Sequence, residues 1–489
     1  MRKLQTVVLL AILFSATSRA VYAQSPAVAP AQPVSEDEVR QLALQVQAAE
    51  RRLQDSEKEL ADLKTRLAVL ESAIASSAAT STTAAQVAPT ASDNAETLSM
   101  QASQIGTLDQ VKVESSSKFP VKLSGMVLLT ASVNSTGVDS PVDPTTSLGG
   151  PGSTSLSLRQ TVLGLDAEGP HLAGARSSAD LRIDFYGGTA TNTYGSAGGL
   201  VRLRTAHAAL DWQHAQLFFA FDRTLLNPNT PTSLVQVAQP GLSWSGNLWN
   251  WMPQLGGSFR MGERHTLIVQ GAWVSPPDAP SPTPTYNSTR SNPATLSEAS
   301  RSLGGEARVG FESGDPTRGL RFGVGGYLSP HTLRNVGSFN SWAATLDMRV
   351  PFGRHVDFTA NGYRGAGLGG LGGGGYKDFV SETDGTNVYL QALNDVGGWT
   401  QLAIHLSPTL DWNNAFGMDN AFGGELRAYS LIQTVYGSIA RNRTGTSNLI
   451  WSPRPYLPFS FEYRRVYTAP VIGPLWNTNV FAFGAGYRF

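Results

Sequence analysis

The sequence predicts an all-β transmembrane barrel of about 16 antiparallel strands preceded by an α-helical coiled coil. Three observations predict it. A secretory signal opens the 489-residue chain, and a heptad pattern follows it. From Phe119 onward hydrophobicity alternates with a period of two, in segments joined alternately by short turns and long connections.

Arg2 and Lys3 form a positive n-region, and Thr6 to Phe14 is a short apolar run. Val21-Tyr22-Ala23 offers a signal-peptidase site, so residues 1–23 read as a signal peptide cleaved after Ala23. The apolar run is far shorter than the roughly 20 residues a spanning helix needs, and no later stretch reaches that length without charge or glycine. Bulk composition adds exclusions. The 37 basic and 37 acidic residues cancel, which argues against a polybasic surface for nucleic acid. The chain has no cysteine, so neither a disulfide framework nor a thiolate metal site is available, and no cofactor is expected.

After a Pro/Ala-rich spacer, Ser35-Glu36-Asp37-Glu38 reads as a helix start, with Ser35 as N-cap and the acids suited to the positive end of the helix dipole. The heptad places Val39, Val46, Leu53, Leu60, Leu67 and Ile74 at a, and Leu42, Ala49, Ser56, Leu63 and Leu70 at d. This alternating 3-4 spacing predicts a coiled coil over 35–75, roughly 55 Å long at 1.5 Å per residue. A single amphipathic helix packing on its own domain is the alternative. The seam implies an oligomer, but its mixed a and d residues do not fix the order. Residues 76–117, rich in Ala, Ser, Thr and Gln, read as a flexible linker or a plug-like segment.

The barrel is expected over 118–489. In the first strand Leu123, Gly125, Val127, Leu129, Ala131 and Val133 share a face, opposite Ser124, Thr130 and Ser132, with Met126 and Leu128 as exceptions. Leu181, Ile183 and Phe185 interleave with Asp180, Arg182 and Asp184; Val201 and Leu203 with Arg202 and Arg204; Leu457, Phe459, Phe461 and Tyr463 with Ser460, Glu462 and Arg464. Alternation alone suits a soluble sandwich equally well. Three features separate the two. Phe481, Phe483, Ala485, Tyr487 and Phe489 share one face, an aromatic ending similar to the terminal insertion signal read by the barrel-assembly machinery. Short turns at Glu168–Gly174, Trp212–His214, Gly262–Arg264, Ser313–Gly319, Pro351–Gly353, Ser407–Pro408 and Pro453–Pro455 alternate with longer connections. These are Asn134–Gly152, Gly187–Gly199, Arg223–Pro253, Ser275–Glu298, Pro330–Gly337, Arg364–Gly397, Gly417–Ala440 and Ala469–Trp476. Short periplasmic turns and long external loops are expected of outer-membrane barrels. Finally, Trp212, Trp273, Trp342, Trp399, Trp412, Trp451 and Trp476 fall near strand ends, where interfacial girdles form. A further hairpin near Phe422 to Arg441 would raise the count to 18.

A signal peptide, an N-terminal heptad segment, a barrel of this size and a terminal aromatic together resemble the trimeric DcaP-like porins of Gram-negative bacteria. The resemblance is architectural and covers nearly the whole chain. It implies a homotrimer in outer-membrane lipid, with periplasmic coiled coils beneath three pores that pass small hydrophilic, often anionic solutes.

Within such a channel, the third long loop, Arg223 to Pro253, is expected to fold inward and narrow the pore. It carries Asn227-Pro228-Asn229-Thr230-Pro231 and the aromatics Trp244, Trp249 and Trp251. Alternation places Arg159, Arg182, Arg202, Arg204, Arg260, Arg308, Arg321, Arg349 and Arg464 on the lumen face. Asp180, Asp184, Glu306, Asp347, Asp357, Asp411 and Glu462 share that face. A slight basic excess of arginine predicts weak anion preference, because a narrow low-dielectric wall focuses the field of such rings. The alternative is that these arginines pair with the acids and serve rigidity. The glycine run Gly365 to Gly375 lacks the Gly-Lys-Ser/Thr of a phosphate loop and reads as a flexible external loop. No His-Glu-x-x-His and no Gly-x-Ser-x-Gly elbow is present. A non-conducting outer-membrane barrel acting as anchor or adhesin, or a barrel enzyme, is the competing reading.

Overall fold

The computed structural model describes residues 120–188, 198–281, 294–314, 319–384, 387–428 and 436–489. The expected signal peptide, coiled-coil seam and linker lie outside the described residues. The wall begins with β1 (Val121–Val138), β2 (Ser147–Ser157), β3 (Val162–Leu172), β4 (Ala175–Asp184), β5 (Arg202–Asp211) and β6 (Ala215–Arg223). It continues through β7 (Trp251–Met261), β8 (His265–Val274), β9 (Gly304–Ser313), β10 (Leu320–Leu333), β11 (Gly337–Phe352) and β12 (Val356–Ala366). A hairpin, β13 (Phe379–Asp384) and β14 (Asn387–Ala392), forms a separate two-stranded sheet. The wall resumes with β15 (Asn394–Ser407), β16 (Leu410–Ala421), β17 (Ile439–Arg454), β18 (Leu457–Pro470) and β19 (Trp476–Arg488).

β1 pairs with β3 along its first half and with β2 along its second, so β2 and β3 are two halves of one wall strand, broken at Leu158–Thr161. The break is bridged by a hydrogen bond from the Leu128 backbone N–H to the Thr161 hydroxyl, 3.1 Å. Seventeen strands join the sheet, and with β2 and β3 sharing one place the wall has 16 positions. It closes where β1 meets β19 antiparallel, Met126 opposite Arg488 through Asn134 opposite Val480. Closure leaves no unpaired edge, the condition for strands to cross lipid.

The two faces of the wall have opposite chemistry. On β1, Val127 and Val133 are 45% and 50% exposed, while Thr130, Ser132 and Asn134 between and beside them are 2–3% exposed. On β19, Phe481, Phe483, Tyr487 and the following Phe489 all face out. A soluble sandwich would bury these rings, so the apolar-out, polar-in wall excludes that alternative. Trp212, Trp273, Trp342, Trp412 and Trp451 are outward and exposed, as the girdle expectation requires. Trp399 departs from it, being 2% exposed on the inward face. Its position near a strand end is as expected, but strand parity turns its ring to the interior.

The turns and long connections fall where the sequence puts them. Among the described residues between β16 and β17 there is, however, no further hairpin. Those residues form a short helix, α1 (Gly423–Ala428), and a single turn of 3₁₀ helix at Tyr436–Ser438, so the described wall stays at 16 positions.

Candidate functional site

The connection from β6 to β7 folds into the barrel and crosses it. Between Thr224 and Asn250 most residues are buried, with Leu226, Asn247 and Leu248 at 0% exposure. Polar side chains on the inward face of the wall hold it around much of the circumference. Glu306 of β9 accepts the Leu225 N–H at 3.0 Å and the Thr224 hydroxyl. Asn361 of β12 donates to the Leu226 carbonyl at 3.2 Å, and Gln401 of β15 accepts the Thr232 N–H at 2.6 Å. Asn448 of β17 donates to the Thr232 carbonyl at 2.8 Å, and Glu462 of β18 accepts the Ser233 hydroxyl at 2.6 Å.

The break between β2 and β3 completes this ring of anchors. Gln160, fully buried there, donates to the Val235 carbonyl at 2.7 Å and accepts the Val237 and Ala238 N–H groups at 2.8 and 3.0 Å. The interruption of the wall strand therefore frees a side chain to clamp the loop. From the first long connection, Asp143 accepts from Gln236 at 3.1 Å and lies 3.3 Å from Arg464. Burial pushes its carboxyl up to about 6 against the opposing pull of that guanidinium.

A second segment fills the interior, and it corrects the reading of the glycine run. Residues 365–380 are buried without exception. Trp244 stacks on Tyr376, centroids 4.1 Å apart, and Leu368 and Leu371 share an apolar cluster with Leu226, Leu248 and Met252. The glycines are there for fit rather than flexibility. A Cβ on Gly370 would sit 2.2 Å from the Pro277 carbonyl oxygen, and Gly372, at φ +100°, would place one 2.6 Å from the Trp249 ring. Composition cannot distinguish a glycine that moves from one that lets backbones touch. Asp378 anchors the segment by accepting the Gly370 and Ala279 N–H groups, each at 2.9 Å, and burial pushes its carboxyl up to about 7. Burial likewise pulls the Lys377 ammonium down to about 7, against Asp419 and Asp395, while it donates to the Gly375 carbonyl at 2.7 Å.

Most of the arginines that alternation assigns to the lumen are ion-paired. Arg202 grips Asp184 through two bonds of 3.0 and 2.6 Å, with Arg204 3.8 Å from the same carboxylate. Arg308 grips Asp347 at 2.8 and 2.7 Å, with both side chains almost fully buried. Arg349 pairs with Asp357 at 3.0 Å, and Arg464 lies 3.0 Å from Glu462. Arg182 and Arg321 pair with Asp166 (2.5 Å) and Glu312 (3.1 Å), acids not singled out from the sequence although the same alternation turns them inward. Two histidines join the inward pairs. His207 bridges Asp180 and Asp222 at 3.0 and 2.8 Å, and His405 bridges Asp411 and Asp357 at 2.6 and 3.3 Å. Histidine bridges of this kind depend on strand register, which period-two alternation does not supply.

Arg159 and Arg260 have no carboxylate partner among the described residues. Arg159 donates to the Gly188 carbonyl at 3.0 Å and lies 4.7 Å over the Tyr186 ring. Arg202 and Arg204 both stack over Trp251, at 5.1 and 5.4 Å, and donate to the Ala238 and Val237 carbonyls of the inward loop. Beside them a cavity of about 330 Å³ is lined by Arg204, Asp222, Arg223, Thr230, Ser233 and Trp251, among others. Among the charged side chains that line this cavity, Arg204 and Arg223 outnumber Asp222 by one. Among the described residues there is no cluster of three or more side chains able to hold a metal.

No family model matches the sequence, and no curated protein matches it. The fold does match solved structures. The outer membrane channel DcaP of Acinetobacter baumannii superposes with a TM-score of 0.57 at 16% identity, over 77% of this chain and 99% of that one. The anion-selective porin of Comamonas acidovorans gives 0.46 at 9% identity over 76% and 100%, and OprB of Pseudomonas putida 0.46 at 10% over 80% and 97%. The chain thus has the closed 16-strand barrel fold of the DcaP channel.

Proposed function

We propose that this chain is an outer-membrane porin, a water-filled channel for passive diffusion of small hydrophilic solutes with a weak preference for anions. The observation that carries this reading is the largely buried loop 224–250, clamped across a barrel that keeps partly exposed charged side chains on its inward face. Charged side chains on that interior, among them Arg182, His207, Asp222 and Asp411, keep 30–43% of their surface exposed. A loop that restricts a polar barrel without sealing it is what a selective pore needs. The basic excess around the cavity beside Arg204 supports the anion preference, since guanidiniums in a narrow low-dielectric opening attract anions by their summed field. The outward aromatics Phe481, Phe483, Tyr487 and Phe489 support recognition by the barrel-assembly machinery. The heptad seam from Val39 to Ile74 supports an oligomer, and the resemblance to DcaP-like porins makes it a homotrimer.

Planar-bilayer recording of the detergent-purified protein tests the channel. Stepwise conductance is expected, with a reversal potential in a KCl gradient shifted toward chloride. Replacing both Arg202 and Arg204 with glutamine should move that potential toward cation preference. Cation preference in the unaltered protein would sink the selectivity claim. The buried segment 365–380 favours a second reading, a barrel held shut by its own loops. Silent membranes containing a heat-modifiable, folded barrel would select that reading over the open channel.

A further inference from the structure

The outer wall carries a charge pattern that diffusion through the lumen does not use. Arg441 and Arg443 on β17 and Arg465 on β18 lie at outward positions, because Asn442, Thr444 and Arg464 beside them are buried inward. Register groups them: Arg443 sits opposite Tyr467, and Gly445, two residues on, sits opposite Arg465. None has an ion-pair partner among the described residues, whereas most inward arginines do. Arg465 is exposed and lies 5.0 Å over the Tyr467 ring. Asn477 and Asn479 of β19 flank it on the same face, and the Tyr463 hydroxyl donates to Asn479 at 2.8 Å.

Height matters. Arg443 and Arg465 lie a few residues from the long-loop ends of their strands, Ile439 and Pro470. With about 3.3 Å per residue and a tilt near 45°, that is roughly 10 Å below those ends. Directly beneath, Phe416, Leu449, Phe461, Phe481 and Phe483 form an exposed apolar band. On β8 and β10, by contrast, the outward positions Leu267, Val269 and Trp273, and Phe322, Val324 and Leu328, stay apolar along the strand. Cationic side chains on a lipid-facing wall are unfavourable unless something anionic meets them.

A second copy of the wall offers no such group. Every carboxylate in the described wall strands, from Asp166 and Asp180 on β3 and β4 to Asp419 and Glu462 on β16 and β18, falls on the inward face by register. We infer that Arg441, Arg443 and Arg465 form a docking site for the phosphorylated headgroup of an outer-leaflet lipid, with its acyl chains on the apolar band below. Guanidiniums suit phosphate through paired N–H donors, and the tyrosines and asparagines suit the polar headgroup around it.

The inference rests on the outer-membrane reading but not on conduction. The test is native mass spectrometry of the full chain in detergent with lipid A, carrying its phosphates or enzymatically dephosphorylated. The expected result is at least tenfold tighter binding of the phosphorylated form. That preference should be lost in R441Q/R443Q/R465Q, with single-channel steps unchanged. Equal binding of both lipids, or an unchanged preference in the triple variant, overturns the inference. An oligomer that falls apart in the triple variant while the lipid preference stays also overturns it, because the patch is then a contact between copies. If the triple variant does not fold, R443Q and R465Q singly should each lower the preference at least threefold, and no change in either overturns the site. A protein that conducts without lipid preference refutes only this site. One that binds lipid without conducting refutes only the channel.

Discussion

Replacing Gln160 with alanine should release the inward loop while leaving the wall intact. Gln160 sits in the break between the half-strands β2 and β3, outside the sheet ladder, so its loss removes no strand pairing. Its amide makes three hydrogen bonds to the loop, at 2.7, 2.8 and 3.0 Å, and the side chain is fully buried. At about 1 kcal/mol net for each bond, the clamp is worth about 3 kcal/mol, and alanine also leaves the Val237 and Ala238 N–H groups without an acceptor. Since 1.4 kcal/mol is a factor of ten, the undocked population of this part of the loop should rise by about 100-fold. Hydrogen exchange on the Val237 and Ala238 amides reads that population directly, because exchange requires local opening. Their protection should fall by about two orders of magnitude while amides in β1 and β19 keep theirs. In bilayers the same variant should show noisier or larger unitary currents. Protection changed by less than threefold would mean that the remaining anchors hold the loop alone and that the strand break has no role in seating it.

Two further outcomes follow from buried charges. Asp347→Ala leaves the Arg308 guanidinium buried without its bidentate partner and should cost about 3–5 kcal/mol, read as a lower urea midpoint for loss of the folded band on unheated gels. An unchanged midpoint would show that Gln270, which accepts from Arg308 at 3.1 Å, suffices for it. Asp378 sets a pH dependence in the segment 365–380. Its folded-state value is raised to about 7 from an ordinary 3.8, so its contribution is fully present below about pH 4 and lost as pH rises through 7. Lys377, lowered to about 7, acts in the opposite sense and in the range above it. Protection of the Gly370 and Ala279 amides, corrected for intrinsic exchange, should therefore weaken between pH 4 and 7, and a flat profile would refute the assignment.

The wall was legible in the sequence because its physics is local. Period-two alternation needs only neighbouring residues, and turns such as Pro351-Phe352-Gly353 announce themselves. The same alternation assigned the arginines to the lumen. The interior was only half legible. Order and length marked Arg223 to Pro253 as the loop that enters, but nothing in a glycine-rich run signals that its glycines fit against Pro277 and Trp249. Partner choice was hidden for a related reason. Arg308 meets Asp347 only because β9, β10 and β11 lie side by side in one register, a property of the closed sheet and not of any segment. Gln160 and Asp143 lie outside the strand pattern altogether, so alternation could not mark them.

Counting lumen arginines therefore overstates their influence on a passing ion. A guanidinium held at 2.7–2.8 Å by a buried carboxylate, as Arg308 is by Asp347, presents a dipole whose field falls off faster than that of a charge. Selectivity should instead follow the groups whose charge is not cancelled: Arg159 over Tyr186, Arg223 beside the cavity, Arg260 near the turn side, and the shared excess of Arg202 and Arg204 over one Asp184. Three of these four groups gather where the inward loop meets β4 to β7, which is also where the loop's carbonyls take donations from Arg202 and Arg204. The same residues thus seat the loop and bias the field beside it, so neutralising them should alter pore width and ion preference together. Neutralising Arg308 or Arg349, each beside its own carboxylate, should leave that carboxylate unpaired and shift preference toward cations without moving the loop.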